Sequence, residues 1–144
     1  MTGADGGAEP GLVGIVLVSH SARVAEAVAD LARGLAVGGP HAPMAPVAAA
    51  GGTADGGLGT NAEGILAAAR EVDRGAGIAL LADLGSSVLT VKALLADDEL
   101  PPGSRLVDAP FLEGAVAAVV AASAGAPLPA VESAAAEAYS YRKT

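Results

Sequence analysis

Residues 12–18 read LVGIVLV, a run with no charged or hydroxyl-bearing side chain. A strand with one wet face alternates apolar and polar residues, whereas a run that does not alternate belongs to a strand covered on both faces. Such strands sit inside parallel sheets with helices above and below. The run stops at Ser19-His20-Ser21 and passes straight into a segment of helical periodicity. One imidazole is thereby carried to the carboxyl edge of a sheet, where open α/β folds bind their ligands.

The rest of the chain repeats this unit. Val24, Val28, Leu31 and Leu35 recur at helical spacing and predict the buried face of a first helix. Arg23, Glu26, Asp30 and Arg33 lie on its other side as (i, i+3) pairs of opposite charge, and Gly38-Gly39-Pro40 stops it. Met44 to Ala50 is a weaker strand candidate, interrupted by Pro46 and followed by a mobile loop, GGTADGGLG, over 51–59. Thr60-Asn61-Ala62-Glu63 matches a capping box for a helix that carries Ile65, Ala68, Ala69 and Val72 on one face and ends at Gly75. Ile78 to Ala82 is a short buried strand that runs into Asp83-Leu84-Gly85-Ser86-Ser87 and a helix bearing Val88, Val91, Leu94 and Leu95. Arg105 to Asp108 is a last strand. Phe111 to Ala124 is an Ala/Val-rich helix expected to be largely buried, and Pro129 is placed for the first turn of a final helix.

The order βαβαβαβαα predicts a single α/β domain, a mainly parallel sheet of four to five strands with helices on both faces. The domain spans 11–138, between a disordered leader (1–10) and a polar tail (139–144).

Apolar residues make up 52% of the chain, yet only two Tyr and one Phe are aromatic, so the core must be built from Ala, Val, Leu and Ile. Small side chains let helices lie close to a sheet. The absence of cysteine rules out disulfide and thiolate chemistry and fits a cytoplasmic protein. Residues 1–10 lack the basic start of a secretory signal, and the apolar stretches 12–18 and 114–122 are too short to span a bilayer. A net charge of −8 with no cluster of Lys or Arg argues against nucleic acid and anionic membrane as partners. It suits a partner with a basic face.

In this topology the turns at 19–21, 51–60, 83–87 and 110–113 share one sheet edge. A histidine there serves as nucleophile, general base, metal ligand or core filler, and the flanking serines and the strand-to-helix turn favour function for His20. Ser21 can cap the following helix, whose N-terminal amides favour an anion such as a phosphoryl group on the imidazole. Plain capping and turn chemistry is the other reading of Ser19 and Ser21. Asp83 can accept Nδ1–H and leave the Nε2 lone pair free for attack, or be a solvated acid or N-cap. Amides near Gly85 and Ser86 can stabilise phosphoryl oxygens, and Gly59 and Thr60 can add an amide and a hydroxyl alongside the capping box.

His41, in GGPHAP, reads as exposed, and 57–62 matches the loose dinucleotide fingerprint only by chance. There is no P-loop. With two histidines and no cysteine, a zinc site would need several carboxylates, and nothing in the spacing supports a metal.

The run Ile15–Ser21, the Gly59-Thr60 pair after a Gly-rich loop, Ala82-Asp83-Leu84-Gly85-Ser86 and Ala109-Pro110-Phe111-Leu112-Glu113-Gly114 together resemble the DhaM family, over about Leu12 to Glu137. These are phosphotransferase subunits of bacterial dihydroxyacetone kinase, with the mannose-type IIA fold of the phosphoenolpyruvate:sugar phosphotransferase system (PTS). The resemblance implies that His20 accepts a phosphoryl group from the carrier HPr and passes it to ADP held in the subunit DhaL. The nucleotide there then phosphorylates dihydroxyacetone bound covalently to DhaK. It further implies a homodimer, and no cofactor on this chain itself, nucleotide and Mg belonging to DhaL. The competing readings are a sugar-specific mannose-type IIA component, a phosphorylation-dependent regulator and, further off, a small metal chelatase.

Overall fold

Ile15 and Leu17 are fully buried on one face of a sheet and Val16 and Val18 on the other, so the non-alternating run is wrapped on both sides. The structure is a computed structural model that describes residues 11–144; the leader expected over 1–10 lies outside the described residues. Each such side chain contributes ~1.5–3 kcal/mol relative to an exposed one. This strand, β1 (Gly14–Ser19), is central.

The chain continues as α1 (Ala22–Leu35), β2 (Val47–Gly51), α2 (Ala62–Val72), β3 (Ile78–Ala82), α3 (Gly85–Ala96), β4 (Ser104–Leu106), α4 (Phe111–Ser123) and α5 (Leu128–Glu137). The four strands form one parallel sheet in the order β2-β1-β3-β4. Helices α1, α4 and α5 cover one face of the sheet, while α2 and α3 cover the other. The element order and the layered sheet agree with the sequence reading. After β1 the chain turns towards β2, and after β3 it turns the other way towards β4. The crevice between the carboxyl ends of β1 and β3 is therefore the topological switch point.

The sequence reading misassigned several local features. The face of α1 that meets the sheet is Ala25, Ala29 and Ala32; Val24, Leu31 and Leu35 are exposed, and only Val28 of the expected stripe packs on the core. Both stripes have helical spacing, and alanines allow the closer approach to the sheet. On α4 the expectation of a largely buried helix holds: Gly114, Ala115, Ala118, Val119, Ala122 and Ser123 are buried and only Leu112 and Val120 are exposed. Gly114 is required there, because a Cβ would come within 2.8 Å of Ala109 Cβ and 3.2 Å of Leu81. Pro46 does not interrupt β2 but precedes it, its carbonyl accepting from Ile15 N–H at 2.9 Å.

The cap of α2 is Asn61, whose side chain accepts from Glu63 N–H at 3.0 Å, one residue on from the expected Thr60. The four-residue box pattern fits Thr60, but an Asn adjoining the helix is an equally good cap and leaves Thr60 free for a partner elsewhere. The tail residues return to the domain: Tyr139 donates to Asp108 at 2.7 Å and Lys143 pairs with Glu113 at 2.7 Å.

Candidate active site

His20 follows the last residue of β1 and Asp83 the last residue of β3, and these two strands are hydrogen-bonded neighbours. Parallel pairing in register brings the two residues together, and the Asp83 amide extends the ladder by donating to Val18 O at 3.1 Å. His20 Nδ1 lies 3.0 Å from Asp83 Oδ1, with the two side chains 24% and 16% exposed. The other ring nitrogen, Nε2, is hydrogen-bonded to Ser86 Oγ in the first turn of α3.

The carboxylate is surrounded by donors. Ser19 Oγ donates to Oδ2 at 2.8 Å and the His20 amide to the same oxygen at 3.1 Å. The Leu84 amide donates to Oδ1 at 2.7 Å and Ser87 Oγ at 3.0 Å. Burial alone would raise the Asp83 pKa, but the hydrogen bonds from Ser19, the His20 backbone, the His20 ring and Ser87 outweigh it and hold the carboxyl at about 2. Asp83 is thus a fixed anion at neutral pH. An anion beside Nδ1 favours the tautomer with hydrogen on that nitrogen and the lone pair on Nε2.

The surrounding turns divide the remaining work. Ser21 caps α1, its hydroxyl accepting from Val24 N–H at 3.2 Å. Ser19 is buried; besides donating to Asp83 it accepts from the Ser21 amide at 3.1 Å. Gly59 donates its amide to the His20 carbonyl at 2.8 Å, and Thr60 Oγ1 lies 3.1 Å from Thr90 Oγ1, which in turn donates to the Ser86 carbonyl at 3.0 Å. Ser19 and Gly59 brace the histidine turn through donor hydrogens already committed, and Thr60 braces the start of α3 through Thr90. The Ser21 hydroxyl, in contrast, only accepts and keeps its own hydrogen to give. Gly51, in register with Ser19, lets β2 approach the turn: a Cβ there would stand 2.6 Å from Ser21 O.

Gly85 and Ser86 are placed differently. The N-cap of α3 is Leu84, whose side chain offers no capping bond, so the amides of Gly85, Ser86 and Ser87 at the start of the helix are open. Open amides carry the positive end of a helix dipole and favour an anion, and the Ser86 side chain of the same turn meets Nε2. Ser87 is the residue sequence reasoning missed. It is buried, and its Oγ lies 3.1 Å from His20 Nδ1 as well as 3.0 Å from Asp83. Its one legible signal was a position four residues after Asp83 at the start of a helix. Among the described residues no three His, Cys, Asp or Glu side chains group as metal ligands. Nor is any described helix long and apolar enough to cross a membrane.

The family model of the PTS system fructose IIA component matches residues 14–132. The phosphoryl donor subunit DhaM of the phosphoenolpyruvate-dependent dihydroxyacetone kinase 2 of Listeria innocua is 33% identical over 76% of this chain and 85% of its own length. Phosphoryl donor subunits DhaM of Escherichia coli and Klebsiella michiganensis are 33% and 32% identical over 80% of this chain, which spans 24% of the length of each. Among solved structures, the unknown-function protein EF1359 is similar with a TM-score of 0.70 and 29% identity, covering 88% of this chain and 95% of that one.

Proposed function

Because the chain belongs to the family of PTS system fructose IIA components, we propose that it is the phosphohistidine relay subunit of a phosphoenolpyruvate-dependent dihydroxyacetone kinase. His20 takes the phosphoryl group from the phosphohistidine of HPr and gives it to ADP bound in DhaL, from which it reaches dihydroxyacetone on DhaK. The observation that carries this reading is the His20–Asp83 pair with Nε2 turned towards Ser86 at the open start of α3. The names of the relatives, all phosphoryl donor subunits DhaM, support the choice of kinase over a sugar transporter.

In the first step the Nε2 lone pair attacks phosphorus, the phosphorus–nitrogen bond to the donor histidine breaks, and that imidazole leaves with its electron pair. Nδ1 keeps its hydrogen, shared with Asp83, so the positive charge that develops on the ring meets a fixed carboxylate. Negative charge spread over the phosphoryl oxygens is met by the amides of Gly85 and Ser86 and by the Ser86 hydroxyl once it rotates off Nε2. In the second step an oxygen of the ADP β-phosphate attacks, the bond to Nε2 breaks, and neutral His20 is restored. Ser19 and Gly59 act in this scheme by fixing the turn, Thr60 by bracing the start of α3 through Thr90, and the Ser21 hydroxyl keeps a hydrogen for a phosphoryl oxygen. Positioning and electrostatics supply most of the rate in such transfers.

The experiment is phosphoryl transfer from labelled phosphoenolpyruvate through enzyme I and HPr, comparing wild type with His20→Ala, followed by DhaL with ADP. Acid-labile label on wild type alone, discharged by DhaL–ADP, is the expected result. Label that stays on the protein would assign a sugar IIA component or a regulator instead. No label at all would return His20 to a structural role. A homodimer belongs to the same reading, and sedimentation equilibrium should then give about twice the chain mass of 13.7 kDa.

A further inference from the structure

We propose that Ser87 is a positioning residue for His20: its hydroxyl holds the Asp83 carboxylate against the imidazole and so fixes which ring nitrogen is free to attack. The proposal deepens the relay reading and rests on it. Ser87 is the third residue of α3 and is fully buried, with Oγ 3.0 Å from Asp83 Oδ1 and 3.1 Å from His20 Nδ1.

A hydroxyl has one hydrogen to give, so the two contacts leave two arrangements. In one, Ser87 donates to Nδ1 and the ring hydrogen sits on Nε2. The Nδ1 lone pair would then face ionised Asp83 Oδ1 at 3.0 Å with no hydrogen between them, and Nε2 could not attack. In the other, Ser87 donates to Asp83 Oδ1, Nδ1–H is shared between Oδ1 and Ser87 Oγ, and every contact joins a donor to an acceptor. The second arrangement is the one this geometry stabilises. Ser87 is also the only side chain of α3 that touches the carboxylate, so it ties Asp83 to the helix whose first turn carries Ser86.

Stability alone does not call for this residue. Alanine has the higher helix propensity, and a buried hydroxyl is costly unless it is hydrogen-bonded. The bonds that Ser87 makes go to the two residues of the phosphoryl centre.

The test pairs Ser87→Ala with Ser87→Cys, a near-isosteric but weaker donor. Nitrogen-15 shifts of the His20 ring at neutral pH report its tautomer without any phosphoryl transfer. The wild type should be almost wholly Nδ1–H, the alanine variant should gain Nε2–H, and the cysteine variant should lie between them. In single-turnover transfer from phosphorylated HPr, the alanine variant should be slower by about tenfold at saturating donor, with half-saturation unchanged.

Unchanged ring shifts in a folded Ser87→Ala variant would overturn the proposal, as would a slowed transfer with an unchanged tautomer, which marks a structural role. Should the alanine variant fail to fold, wild-type shifts and rate in Ser87→Cys would overturn it equally. A wild type that takes up no phosphoryl group refutes the relay, whereas the ring shifts still decide what Ser87 does.

Discussion

Two residues carry the proposed chemistry, and they fail differently when changed. His20→Ala removes the nucleophile from a partly exposed turn whose backbone is held by Ser19, Gly51 and Gly59, so it should abolish labelling while circular dichroism and melting stay close to wild type. Asp83→Asn keeps the shape but removes the anion that faces Nδ1. Transfer should then slow by about tenfold or more, with binding of HPr unchanged, because a charge-assisted bond is replaced by a neutral one.

Asp83 also links stability to acid. Burial raises its pKa, yet the hydrogen bonds from Ser19, His20 and Ser87 bring it from the ordinary 3.8 to about 2. A carboxyl depressed in the folded state binds its proton more weakly than in the unfolded chain. The stability it contributes is therefore complete above pH ~3.8 and lost as pH falls towards ~2. Thermal melts should weaken across that window, and the Asp83→Asn variant should lose less there than wild type; equal losses would remove Asp83 from the acid response.

At the scale of elements, α1 offers the sharpest check. Ala29 is 1% exposed against the sheet, while Leu35 is 61% exposed at the far end of the same helix. Ala29→Leu should cost about 1–3 kcal/mol through overpacking, and Leu35→Ala no more than ~0.5 kcal/mol, both read from denaturant midpoints. The reverse order would reinstate the apolar stripe that the sequence pattern favours. That stripe also marks where reading the chain reaches its limit. Both stripes of α1 have helical spacing, and only the sheet decides which is inside, here choosing the small residues. β1 and β3 were legible because unbroken apolar runs leave a buried strand little alternative. His20 and Asp83 were legible because each ends such a run. The cap of α2 slipped by one residue, since Thr60 and Asn61 both suit an N-cap and Thr90, which engages Thr60, is distant in sequence. Ser87 escaped notice for the same reason: a serine in a helical first turn has no meaning until the strand beside it brings His20 into reach.

At the scale of the whole molecule, the proposed relay needs an encounter with HPr at the edge that carries His20, where apolar side chains are exposed on a chain of net negative charge. Leu58, Leu84 and Leu89 belong to the loop before α2 and to the start of α3, and they are 82%, 63% and 67% exposed. The chain as a whole carries 16 acidic against 8 basic residues. Apolar contact and charge steering respond differently to salt: screening over a Debye length of about 8 Å at physiological ionic strength weakens the second and leaves the first intact. A net charge of −8 raises the encounter rate with a basic partner, and such steering is worth ~10-fold or more at low salt. The second-order rate of phosphoryl uptake from phosphorylated HPr should therefore fall several-fold between low and high salt, while the first-order transfer within the complex holds constant, because the His20–Asp83 contact is mostly shielded from solvent. A second-order rate indifferent to salt would assign encounter to the exposed leucines; a first-order rate that falls with salt would place a screened charge pair across the interface at the transfer step itself.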